Sequence, residues 1–350
     1  MSYLKHKEHF SLKNLTKNTI AFTFLSCQLV MYGCKKEEKT VIPDSAAVSD
    51  SIKTAKEEDR IDYKNFNLFN VYSIDHNGYT DSFISVSDIY DEPNPVPEEM
   101  IKNQKQLSFD QLKYIELDAQ YRKKMLNAIR LTENDFLFIY NYESNKLEKL
   151  PINKLKAVAY LSLYASEGEE VDGYSYMLGF KVNSQKSSDA SYGLYNNTVA
   201  AFGSISPFVE NKMKPVQWEK AAPEISKKYF SGSTLEYGKT YQAQYEDLTY
   251  YLQNFSKEGQ TAERKLIVLN GKKEKIFETS FSNENEGEEF YPLNQVEMEG
   301  DEYVSQWTGY LLKGKPVTIF GFLSESFGCP AITFLDRKEP EINIQCDNRH

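Results

Sequence analysis

Histidine is scarce in this chain: there are four in 350 residues, and two of them, His6 and His9, lie in the basic N-terminal stretch. That leaves His76 and His350, so a Ser/His or Cys/His nucleophile pair is hard to assemble. Cysteine is equally sparse, with Cys27, Cys34, Cys329 and Cys346. A zinc site built from Cys and His lacks ligands unless carboxylates complete it. No serine sits in a Gly-x-Ser-x-Gly turn; the run Gly173 to Met177 fails at its last position. There is no P-loop and no dinucleotide fingerprint, and no cofactor is expected. Net positive charge is missing too: 41 basic residues face 51 acidic ones, for a net charge of −10. Such a chain is a poor nonspecific binder of nucleic acid, and no nucleic-acid partner is expected. No repeat recurs at a fixed period, so nothing supports a propeller.

Long apolar runs are also lacking. The most apolar N-terminal stretch, Thr19 to Tyr32, is shorter and more polar than the about 20 apolar residues of a membrane span. It follows a region bearing Lys5, Lys7, Lys13 and Lys17 against Glu8, and it ends at Gly33-Cys34. A basic region, a short apolar core and a small residue before a cut point describe an export signal over residues 1–33. Met31-Tyr32-Gly33-Cys34 resembles the lipobox of bacterial lipoproteins; Gly33 and Cys34 fit that pattern, and Met31 and Tyr32 depart from it. The resemblance implies a diacylglycerol thioether on Cys34 and an acylated amine (palmitate among the chains), with the membrane as partner through that anchor. Two or more chains hold a protein stably where one does not. Cys27 would leave with the leader.

Lys35-Lys36-Glu37-Glu38-Lys39 resembles the short charged export signal of surface-exposed lipoproteins of the Bacteroidota, which implies the outward face of the outer membrane. A solvated charge run is the alternative. Residues 34–62 carry few large apolar side chains and are read as a disordered tether. Asp44-Ser45-Ala46 and Asp50-Ser51-Ile52 resemble the triplets that O-glycosylation machinery of the same bacteria modifies, which makes Ser45 and Ser51 candidate glycan sites. An ordinary Ser/Asp-rich linker stands beside that reading.

With Cys34 lipidated, Cys329 and Cys346 remain as an even pair outside the cytoplasm, where disulfides persist. A bond between them would contribute about 3 kcal/mol by closing the loop. Two free thiols or half a metal site are the alternatives.

Residues 63–350 read as a β-rich globular domain, with a subdomain boundary proposed near 212–223. Tyr (25) and Phe (21) are abundant, and both favour pleated, half-buried surfaces. Paired strands are expected on either side of residues 75–78, 143–145, 270–271 and 313–315, with Asn77-Gly78 and Asn270-Gly271 as the strongest turn signals. Val158 to Tyr164 and Tyr174 to Val182 flank an acidic loop. Ser108 with Gln111 reads as a capping box, and Leu112, Ile115, Ala119, Leu126 and Ile129 recur at helical spacing, so one long amphipathic helix is expected there. Tyr241 to Phe255 suits helix or strand. The class is therefore α+β, mainly antiparallel, a hairpin-rich sandwich or curved sheet with that helix on one side.

His76 is read as an exposed turn residue. Residues 75–81 faintly match a calcium loop, but Tyr79 replaces a ligand and no closing Glu follows, so the hairpin is the stronger reading. The acidic runs 167–170 and 284–289 are read as solvated turns. Three functions fit: a surface module that binds a glycan, an envelope polymer or a protein; a carboxylate-dependent hydrolase; or an envelope inhibitor. A cleft with two facing carboxylates would mark the second. An exposed aromatic patch would mark the first, and a protruding acidic loop the third.

Overall fold

The computed structural model describes residues 61–90, 96–189, 195–283, 287–298, 303–324 and 328–347. The signal, Cys34, Ser45, Ser51, nearly all of the tether and His350 lie outside them. The described chain is mostly β, with antiparallel sheets curled into a half-barrel.

A nine-stranded sheet forms the middle. Its order is Met213–Pro215, Trp307–Gly309, Thr318–Phe320, Ala331–Phe334, Ile342–Gln345, Leu68–Phe69, Thr198–Gly203, Phe136–Asn141 and Lys146–Pro151. All neighbours run antiparallel except Ile342–Gln345 with Leu68–Phe69, which pair in parallel. The run Phe136-Leu137-Phe138-Ile139-Tyr140 is continuously apolar because both faces of its strand are covered. Leu137 and Ile139 enter one core; Phe138 and Tyr140 enter another with Trp307 and Phe334.

A five-stranded meander, Glu219–Lys220, Glu236–Tyr245, Leu248–Lys257, Gln260–Leu269 and Lys275–Ser282, packs Tyr250, Leu252, Leu266 and Val268 against Ile319 and Phe322. The ambiguous Tyr-rich segment is therefore a hairpin of two strands, turning at Glu246, whose φ is 51°. Asn270-Gly271 turns the next pair. Residues 213–220 pass from the middle sheet to the meander, with Trp218 buried between the two strands.

The second five-stranded sheet runs Tyr72–His76, Tyr79–Ser85, Tyr176–Lys186, Lys156–Leu161 and Tyr114–Glu116. Its Tyr72–His76 and Tyr79–Ser85 strands turn at Asn77-Gly78. Ile84, Leu178, Phe180 and Ala159 line one face, and Ile74, Phe83, Val158, Tyr160 and Met177 the other. Gly179 is required where the strands approach: a Cβ there would lie 1.9 Å from the Ile84 carbonyl oxygen.

The long helix is not formed. The capping box of Ser108 and Gln111 is present, but it starts a single turn, Phe109–Leu112. Tyr114–Glu116 then pairs as an edge strand with Lys156–Leu161, so Ile115 serves a sheet. Asp118 restarts a helix, Ala119–Ala128, by accepting from the Gln120 and Tyr121 amides. Helical spacing across 112–129 arises from two short helices with a strand between them.

Cys329 and Cys346 form a disulfide, with Cα atoms 5.5 Å apart. Cys346 follows the Ile342–Gln345 strand, which joins the C-terminal strands of the middle sheet to its N-terminal ones.

Candidate functional site

Two places concentrate polar or exposed chemistry. The first is the Ile74/Tyr160 face of the second five-stranded sheet. Alternation along Tyr72–His76 puts His76 on the side of Ile74, and alternation along Tyr79–Ser85 puts Asp81 on the side of Phe83. His76 is thus no exposed turn residue. It stacks on Tyr114 with ring centroids 4.5 Å apart and stands edge-on to Tyr160. Its Nε2 lies 3.8 Å from Asp81 Oδ2, and Lys181 Nζ lies 3.3 Å from the same oxygen. Tyr160 donates its hydroxyl to that oxygen as well. Lys181 also sits over the Tyr114 ring.

Burial sets the direction of titration for His76 and Tyr160. It lowers the pKa of His76, outweighing the attraction of Asp81, and Lys181 lowers it further. It raises that of Tyr160, and the bond to Asp81 raises it further. Burial opposes the charge of Lys181, yet Tyr114 and Asp81 outweigh it, so its pKa is raised. Asp81 is fully buried, and its Oδ1 and the Nδ1 of His76 have no hydrogen-bond partner among the described residues. This enclosed carboxylate draws His76, Tyr160 and Lys181, from three other strands of the sheet, onto one oxygen.

The second place is the connection 162–175, between Lys156–Leu161 and Tyr176–Lys186. Its neck is closed by Ser162 N donating to Ser175 O at 2.8 Å. Asp172 accepts from the Tyr174 and Ser175 amides, while the Ser175 hydroxyl accepts from the Asp172 amide. Gln104 grips Val171 from both sides, donating to its carbonyl at 2.8 Å and accepting from its amide at 2.9 Å. On this fixed base stand Leu163, Tyr164 and Tyr174, which are 68%, 66% and 56% exposed. Glu167, Glu169, Glu170 and Asp172 are exposed in the same loop, and the sequence has no Lys or Arg from 157 to 180. The acidic run is legible in the sequence; the apolar residues beside the neck read there as strand ends.

Two clefts bear on the hydrolase reading. One, of about 300 Å³, lies between Phe66, Ile129 and Phe202, and its described lining holds one carboxylate, Asp62, whose side chain caps the Lys64 amide. The other, of about 350 Å³, lies beside Val216 and Met298 and has no carboxylate in its described lining. Among the described residues neither presents the facing pair of acids that glycoside hydrolysis uses.

Among the described residues no group of three or more His, Cys, Asp or Glu is placed to hold a metal ion, and no helix is long and apolar enough to cross a membrane. Comparison with known proteins adds no relative: no family model, no curated protein and no solved structure matches the chain.

Proposed function

We propose that this chain is a lipid-anchored lipoprotein of the outer membrane, facing outward, whose folded part is a binding module for a glycan, an envelope polymer or a protein. The observation that carries the binding half is the loop 162–175. Three large side chains, each more than half exposed, rise from a neck held by backbone and side-chain hydrogen bonds. Exposed apolar groups on a fixed base mark interaction sites, because little conformational entropy is lost on contact. The anchoring half rests on Gly33-Cys34 and the charged run Lys35 to Lys39.

The acidic rim of the same loop favours one second reading, an envelope inhibitor that docks on a cationic target. Metabolic palmitate labelling tests the anchor: label should enter the wild type and be absent from Cys34→Ala. Protease added to intact cells should remove the folded part. Persistent labelling of the variant, or full protection, overturns that half of the proposal. The binding half is tested by substituting Leu163, Tyr164 and Tyr174 and measuring capture of envelope components.

A further inference from the structure

The chain contains two Asn-Gly pairs, both at hairpin turns, and the fold treats them oppositely. Asn270 is locked. Its Oδ1 accepts from the Lys272 and Glu274 amides, each at 3.0 Å, and its Nδ2 donates to Glu274 Oε2 at 2.8 Å. Those bonds hold the side-chain carbonyl carbon toward residues 272–274, and a Cβ on Gly271 would already meet Asp247. Asn77 is exposed, and its side chain makes no hydrogen bond among the described residues. Asn77 and Gly78 have φ of 49° and 79°, the type I′ pattern, and nothing lies within 4 Å of where a Gly78 Cβ would be.

We infer that Asn77 is a site of spontaneous deamidation in the folded protein and that Asn270 is protected from it. The Gly78 backbone nitrogen gives its proton to solvent base and attacks Asn77 Cγ. The new C–N bond closes a five-membered succinimide, the Cγ–Nδ2 bond breaks, and the nitrogen leaves as ammonia with a proton from water. A second water opens the ring at either carbonyl, giving aspartate or isoaspartate. The net change is amide plus water to carboxylate plus ammonium, with no oxidant or reductant. Attack needs the two atoms to meet without a blocking side chain, which glycine at 78 permits and the bonds of Asn270 prevent.

The product matters to the buried cluster. His76 is the adjacent residue and pairs with Tyr79 across the turn. Aspartate at 77 adds a negative charge beside it. Isoaspartate routes the chain through Cβ, lengthening the turn and disturbing the His76 to Tyr79 register.

The test compares the two sites within one molecule. The full chain is held folded in mildly alkaline buffer at physiological temperature, a urea-unfolded sample is held alongside, and both are mapped by peptide mass spectrometry with isoaspartate detection. In the folded sample Asn77 should convert on the order of tenfold or more faster than Asn270, and unfolding should bring the two rates together. Equal rates in the folded chain overturn the inference. So does an intact folded Asn77 over a period in which the unfolded Asn77 converts. No substitution is needed, so misfolding of a variant does not enter.

Discussion

The sulfur of Cys346 is bonded to that of Cys329, and the Cys346 carbonyl accepts the hydroxyl of Tyr72, so one residue ties the C-terminal strand both to its own neighbourhood and to the second five-stranded sheet. Asp347 extends the tie: its amide donates to Asp88 at 2.8 Å, and its carboxylate accepts from Ser85. Burial is the main reason the Tyr72 pKa is pushed up to about 12, so the phenol stays protonated as a donor across the physiological range.

Opening the Cys329–Cys346 loop, whose ends are 17 positions apart, should therefore lower stability. The paired substitution Cys329→Ser, Cys346→Ser is expected to cost about 3 kcal/mol. Urea unfolding followed by tyrosine fluorescence reads this as a lower midpoint, and an unchanged midpoint would contradict it.

His76 gives a pH dependence. Its pKa is near 6.5 in the unfolded chain and lower in the fold, where burial comes first, Lys181 adds to it and Asp81 opposes it. Tyr160, Tyr114, Tyr72, Glu116 and Lys156 also carry titratable groups on that side of the sheet. Between the two values the unfolded chain binds more protons. Stability should be fully present above about pH 6.5 and fall as pH drops toward the folded value. The loss from roughly pH 7 to 5 should be smaller in His76→Gln, as thermal melts would show.

A different window belongs to Glu278. Hydrogen bonds from Lys265 and then Lys275 bring its pKa down to about 2. Its contribution should be present above its ordinary value and be lost only as pH falls toward that number. Glu278→Gln should flatten the acid limb and leave the His76 window unchanged.

Arg264 and Glu297 pin the meander to the C-terminal segment. Arg264 is buried and donates to Glu297 at 2.5 Å and to the Tyr291 carbonyl at 2.6 Å. Glu297→Ala leaves a buried guanidinium without its carboxylate and should cost about 3 kcal/mol, toward the low end because Glu297 is partly exposed. Replacing both by methionine should cost less than the single change, which a double-mutant cycle would measure.

Much of the strand pattern was readable from short-range chemistry. Asn77-Gly78 and Asn270-Gly271 specify their turns locally, and the paired strands on either side of them follow. The 112–129 segment misled because helical spacing does not register that Ile115 pairs with Ala159, a contact made by a distant strand. His76 shares the face of Ile74 by simple alternation, a signal present in the sequence and outweighed by its place beside Asn-Gly. Its meeting with Lys181 and Tyr160 depends on the order of strands in the sheet, which no local pattern carries. The acidic character of 162–175 was visible; the rigidity of its neck rests on Gln104, nearly seventy positions away in the chain.

Leu163, Tyr164 and Tyr174 are the proposed contact surface. The most direct measurement is quantitative capture of solubilised envelope protein and polysaccharide on the immobilised full chain, compared with its Leu163→Ala, Tyr164→Ala, Tyr174→Ala variant. The three side chains are exposed, so the variant should keep its circular dichroism and melting temperature. At least one component should be retained by the wild type and lost from the variant. Identical retained components, from two proteins equally folded, would contradict it.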